Sequence, residues 1–247
     1  GEVDVTKRFL EFASQKEVCI HYYNHYGYYV GTFYPREHLN AGHVVVKQAE
    51  HYINTEKRVR LARKFVEGAI GQMRQVIRYY RSRNKEDADA LTFILDQIET
   101  QTETIHDATT VEELMAVEGH VRESYYKAFD IILKNPDFPF EKRSKRPPLN
   151  RLNALISFGN SICYTMALSE IYKTYLDPRI GYLHSSNFRR FSLNLDVAEV
   201  FKPIVVDRLI FTLINKKMIT KKDFDKHTDG IILSEARRRT FLSELDK

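Results

Sequence analysis

The pattern of apolar and polar positions divides the chain into a short mixed head and a long helical remainder. In TKRFLEFASQK, Phe9, Leu10, Phe12 and Ala13 recur at helical spacing and predict a first helix. VCIHYY and YYVGTFY then read as two β-rich runs joined by NHYG, with Gly27 available for the turn, so a hairpin with its tyrosines packed on a small sheet is expected. After Pro35 the period changes. From about Val44 to Arg81 there is no proline, and Val59, Ala62, Phe65, Val66, Ala69, Ile70, Met73 and Ile77 recur at helical intervals. A second helix is expected around residues 90–101 and a third from Thr110, where Thr110 and Glu113 make a capping box. Four of the seven prolines, Pro136, Pro139, Pro147 and Pro148, fall in NPDFPFEKRSKRPP, which reads as a loop. Helix resumes in LNRLNALISFGNSICYTMALSEIYKTYL, stops at Asp177–Pro178, and returns over residues 195–217 and 234–246. The fold class is α+β, mostly α: a small β-rich N-terminal domain, residues 1–38, followed by a large all-helical domain, residues 39–247.

Composition narrows the class. Hydrophobic residues at 43% and charged residues at 29% fit a soluble globular protein. The most apolar run, PIVVDRLIFTLI, is interrupted by Asp207 and Arg208, so no membrane span is expected. Cys19 and Cys163 lie far apart without CxxC spacing. They read as two small buried hydrophobes in a reducing compartment, and the expected localisation is cytoplasmic. The first residue is Gly1 rather than Met, so the lack of a leader sequence carries little weight. Net charge is +5, and the basic residues cluster: Arg78, Arg81, Arg83 and Lys85; Lys142, Arg143, Lys145 and Arg146; Arg189 and Arg190; Arg237, Arg238 and Arg239. Interleaved with 15 Tyr and 15 Phe, these clusters tilt the partner toward nucleic acid.

Three acidic positions and one histidine carry the candidate chemistry. In the helix after Thr110, Glu118 lies on the apolar stripe Leu114, Val117, Val121, Tyr125 and Ala128, where an ionised carboxylate needs a partner. Arg122, one turn on, is the simple ion-pair partner. Asp196 and Glu199 share a helix face, and Asp207 continues it. They read either as an acidic N-terminal turn suited to the helix dipole or as part of a site. Pro203 lacks an N–H and clashes with the carbonyl of Glu199, so the helix is expected to kink there. Glu118, His184 and one of Asp196 and Glu199 together form an O,N,O set suited to a divalent ion, Mg2+ or Mn2+, with open positions for water and phosphate. Arg189, Arg190 and Lys202, with Arg179 nearby, are placed to neutralise phosphates.

The segment PLNRLNALISFGNSICYTMALSEIYKTYLDPRIGYLH, followed by RRFSLNLDVAEVFKPIVVDRLIF, resembles the signature region of CRISPR-associated protein one, the integrase of spacer acquisition. IHYYNHYGYYVGTFYPR resembles the end of that family's β-domain and its exit to the helical domain. The resemblance implies a metal site of Glu118 in VEGHVRESYY, His184 in GYLH and Glu199 in DVAEVFKP, where many members carry Asp. Asp196 matches the neighbouring acid that supports the site: it either orients His184 or caps its helix. The implied activity is metal-dependent transesterification and hydrolysis of DNA phosphodiesters, inserting short duplexes at CRISPR repeats. The implied partners are double-stranded DNA, CRISPR-associated protein two and a second copy of the chain in a homodimer. The family's β-domain normally begins before Gly1 and its helical sequence continues past Lys247, so both domains are expected to be truncated at the chain ends. Two rivals stand beside this. One is a non-catalytic DNA-binding scaffold; the other is a helical metal phosphohydrolase built on His106–Asp107.

Overall fold

A computed structural model describes residues 3–36, 39, 41–145, 147–185, 191–227 and 230–247. Helix α1 (Lys7–Gln15) begins where the Thr6 side chain accepts the Phe9 N–H, a cap that satisfies one orphan donor. Strands β1 (Ile20–Tyr23) and β2 (Tyr29–Phe33) pair antiparallel, Ile20 opposite Phe33, as the tyrosine-rich runs predict. Gly27 takes φ +80° in the turn, a conformation that costs other residues strain. The hairpin docks on helix α6 (Arg151–Tyr172). Tyr23 OH lies 2.7 Å from Thr165 Oγ1, and the His21 ring spans Thr32 Oγ1 at 2.7 Å and Ser169 Oγ at 2.9 Å.

The long proline-free run is two helices, α2 (Gly42–Ile53) and α3 (Thr55–Arg83). Asn54 separates them: its backbone is extended, its N–H closes α2 on Glu50 O, and its side chain opens α3 by accepting the Lys57 N–H. Helices α4 (Ala88–Glu103) and α5 (Val111–Leu133) follow. The expected capping box of α5 is present: Glu113 accepts the Thr110 N–H at 3.1 Å while Thr110 Oγ1 accepts the Glu113 N–H at 3.2 Å. Helix α6 ends at Tyr172, ahead of the expected stop at Asp177–Pro178.

Beyond α7 (Leu193–Lys202) the regular winding is interrupted at the proline where a kink is expected. Residues Pro203–Asp207 form a π-helical turn that leads directly into α8 (Arg208–Asn215), with the Arg208 N–H donating to Pro203 O. One extra residue in the turn absorbs the missing proline donor without ending the helix. The stretch expected to be all helical also carries a second hairpin, β3 (Phe224–His227) against β4 (Gly230–Leu233), before α9 (Glu235–Leu245).

The core lies around α3, which packs against α4, α5 and α7. Ala62, Val66, Ala69 and Met73 are fully buried on it, each large apolar side chain contributing roughly 1.5–3 kcal/mol by leaving water. A Cβ on Gly68 would stand 3.3 Å from Val200, so the missing side chain lets α7 lie close against α3. This packing sets one face of α5 beside one face of α7. Among the described residues no helix is long and apolar enough to cross a membrane.

Candidate metal centre

Glu118 projects from α5 and Glu199 from α7, and they meet on one guanidinium. Arg122 Nη2 lies 2.7 Å from Glu199 Oε2, while its Nε and Nη2 grip Glu118 Oε1. The three side chains are only 11–18% exposed. The helix ion pair expected for Glu118 is therefore present, but Arg122 also ties it to the second carboxylate. Glu199 has a second cation: Lys202, one turn later and 4% exposed, pairs with Glu199 Oε1 and donates to Tyr164 OH at 2.5 Å. Burial opposes ionisation of Glu199, yet Lys202 and Arg122 override it and hold the carboxyl at about 2. Burial likewise pulls the Lys202 ammonium down, but Glu199 prevails and pushes it up to about 12. Arg122 is also driven up, against its burial, by Glu199 and Glu118.

The GYLH segment is folded around Asp196, whose side chain is fully enclosed. Asp196 Oδ2 accepts the N–H groups of Tyr182 at 2.6 Å and Leu183 at 3.0 Å; Oδ1 accepts the His184 N–H at 2.9 Å. The same Oδ1 lies 2.8 Å from His184 Nδ1. The backbone N–H groups require Asp196 to accept, so Nδ1 donates the ring proton to it, and in the neutral ring Nε2 then carries the lone pair. Of the two roles expected for Asp196, the geometry matches orientation of His184. Ser192 secures the base of this segment, accepting the Gly181 N–H at 2.9 Å and donating to Arg179 O at 2.7 Å.

Asp207, expected on the same acidic face, turns elsewhere. It is 2% exposed and accepts from Tyr125 OH at 3.1 Å. Burial raises its carboxyl to about 6, with Arg122 opposing. Sequence reasoning misses this pair, and it also misses Tyr164, which nothing in the helical pattern of α6 singles out.

The other expected contacts separate. Lys202, expected to meet DNA phosphate, is instead enclosed in the centre and committed to Glu199. Arg179 is 69% exposed and paired with Asp177. Arg189 and Arg190 lie outside the described residues. In the KRSKR loop, buried Asn153 accepts from Arg143 at 2.9 Å and donates to Lys142 O at 2.7 Å, pinning the loop to α6. Burial, then Arg143 and Lys202, push the Lys145 ammonium down, which sets this loop within electrostatic reach of the centre. His106 and Asp107 sit in an exposed turn after α4.

Among the described residues, no three His, Cys, Asp or Glu side chains stand together so as to hold a metal ion. Both oxygens of Glu199 are occupied by cations. The donor set nonetheless fits a hard or borderline divalent ion: Glu118 Oε2 and His184 Nε2 make no hydrogen bond among the described residues, and Glu199 is ionised. An orienting carboxylate behind the imidazole is the outer-shell partner that metal-bound histidines commonly have.

The chain is 55% identical over its whole length to the CRISPR-associated endonuclease Cas1 2 of Thermodesulfovibrio yellowstonii, covering 74% of that protein. The fold matches a solved Cas1 protein from Thermotoga maritima with a TM-score of 0.88, at 50% identity, over 99% of this chain and 76% of that one. It also matches part of a Cas6-RT-Cas1–Cas2 complex with a TM-score of 0.84; at 22% identity, over 98% of this chain and 26% of that one, this likeness speaks for the fold alone. The family model described as CRISPR associated protein Cas1 matches residues 1–247, and the chain belongs to that family.

Proposed function

We propose that this Cas1-family endonuclease and integrase of spacer acquisition works through a divalent ion, Mg2+ or Mn2+, held by Glu118, His184 and Glu199. One observation carries the reading: carboxylates from α5 and α7 share the Arg122 guanidinium, and His184, whose charge bears on Glu199, has its outer nitrogen left open by Asp196. When bound there, a divalent ion supplies polarisation of the scissile phosphoryl oxygen and stabilises the charge that develops on it. The protein's own groups prepare for this. Lys202 and Arg122 keep Glu199 ionised at neutral pH. Asp196 fixes the His184 tautomer and aims the ring. With a DNA 3′-hydroxyl as the attacking group the outcome is strand joining; with water it is cleavage.

Double-stranded DNA is the proposed substrate, and Arg179, Arg189 and Arg190 are its proposed phosphate contacts. Lys202 acts within the centre rather than on the DNA surface. CRISPR-associated protein two is the proposed partner, supported by the name of the related complex, with a homodimer of this chain as the working unit. The setting is the cytoplasm. The test is cleavage of duplex DNA with Mn2+ or Mg2+ by the wild type and by Glu118→Gln, which keeps the shape but removes the charge. A loss of about 10²–10³ in rate is expected, with the melting curve of the protein retained. Undiminished cleavage by Glu118→Gln would remove this centre from the chemistry.

A further inference from the structure

We infer that Arg122 is an internal cation that holds the Glu118–Glu199 pair together in the ion-free enzyme and must surrender Glu199 Oε2 when a divalent ion enters. This rests on the ion reading given above. Arg122 and Lys202 bring two positive charges to the two carboxylates, so these four side chains are neutral together before anything binds, and Asp196 behind His184 adds one negative charge. Adding a divalent ion with both cations in place leaves two surplus positive charges on these four side chains, only one of them offset by Asp196, among groups no more than 18% exposed, an arrangement that low-dielectric surroundings penalise. One cation has to give way.

Lys202 is the poorer candidate. It belongs to the same helix as Glu199, has a side chain 5% exposed, and is secured by a second bond to Tyr164 OH. Arg122 comes from the opposite helix, and its side chain is 16% exposed. It also keeps a carboxylate partner when it releases Glu199, because its Nε and Nη2 hold Glu118, whereas the carboxylate paired with Lys202 is Glu199. The arginine therefore competes with the ion for one oxygen, weakening ion binding until an anionic phosphodiester arrives to rebalance the charge. Arg122 is thus a positioning residue for the ion, and its effect is read in affinity.

The experiment is a titration with Mn2+ in which free ion is counted by electron paramagnetic resonance, on the full chain without DNA. The proteins are the wild type, Glu118→Gln, Arg122→Gln and Arg122→Lys. The wild type is expected to bind one ion that Glu118→Gln loses. Arg122→Gln is expected to bind it on the order of tenfold more tightly, a change of the size usual for coupling between two interacting groups. Lysine at this position reaches one carboxylate instead of bridging two, so Arg122→Lys is expected to fall between. If Arg122→Gln fails to fold, Arg122→Lys decides by the same criterion. Unchanged or weaker Mn2+ binding in the folded variant, beside a wild-type site that Glu118→Gln abolishes, overturns the inference alone. Absence of any binding dependent on Glu118 overturns the ion reading and the inference with it.

Discussion

Replacing Asp207 with asparagine tests the electrostatics of this interior without touching a proposed ligand. The Asp207 carboxyl is buried, meets Tyr125 OH at 3.1 Å, and is raised from 3.8 to about 6 by loss of solvent. The folded state therefore holds a proton that the unfolded chain has already released between those values. Stability from this group is fully present below the unfolded value and is lost as pH rises through the folded one. Two units at ~1.4 kcal/mol each amount to about 3 kcal/mol by neutral pH. The asparagine side chain keeps the shape and an oxygen that accepts from Tyr125 OH, but it never ionises. Asp207→Asn is expected to match the wild type near about pH 4 and to exceed it by about 3 kcal/mol near neutrality. For a chain of this size that corresponds to a melting midpoint higher by roughly 6–12 °C. Urea melts from acid to neutral pH measure the difference directly. A difference that does not change with pH, or a variant less stable at neutrality than at acid pH relative to the wild type, refutes the reasoning.

Two further outcomes follow from the segment around His184. Asp196→Asn keeps a side-chain acceptor but loses the charge that holds the imidazole and three backbone N–H groups; Mn2+ affinity is expected to fall about 10–100-fold, measured by ion titration. Gly181→Ala would drive a Cβ to 2.7 Å from the Ser192 backbone carbon, so the GYLH segment has to shift away from Asp196. A loss of roughly 1–3 kcal/mol in urea melts is expected, accompanied by weaker Mn2+ binding; wild-type values for both would show that the loop gives way without moving His184.

Local rules make much of the fold legible. The Thr110–Glu113 cap, the β1–β2 hairpin around Gly27 and the proline-rich loop each follow from residues within a few positions of one another. The break at Asn54 escapes such reading, because an apolar period that continues on both sides hides a cap that only the extended backbone of one residue reveals. The second hairpin escapes it too, although Asp229–Gly230 between short apolar runs is a hairpin signal; its four-residue strands are too brief for periodicity to outweigh the helices around them. In the centre, the pairing of Glu118 with Arg122 is legible from their spacing on one helix. That Arg122 also reaches Glu199, 77 residues away, depends on how α5 and α7 pack on α3, which no local pattern encodes. Lys202 reads as a surface cation for the same reason: helical spacing gives its face, but only the packing around Tyr164 shows that the face is enclosed.

Strand transfer is the most direct test of the central claim. A short duplex bearing 3′-hydroxyls is offered a supercoiled plasmid carrying a CRISPR repeat, with CRISPR-associated protein two present, in Mn2+, in Mg2+ and in chelator. His184→Ala is run beside the wild type. Joining by the wild type that needs the metal and disappears in His184→Ala is the predicted result. Joining that survives either the chelator or the loss of His184 would contradict a divalent-ion centre built on Glu118, His184 and Glu199.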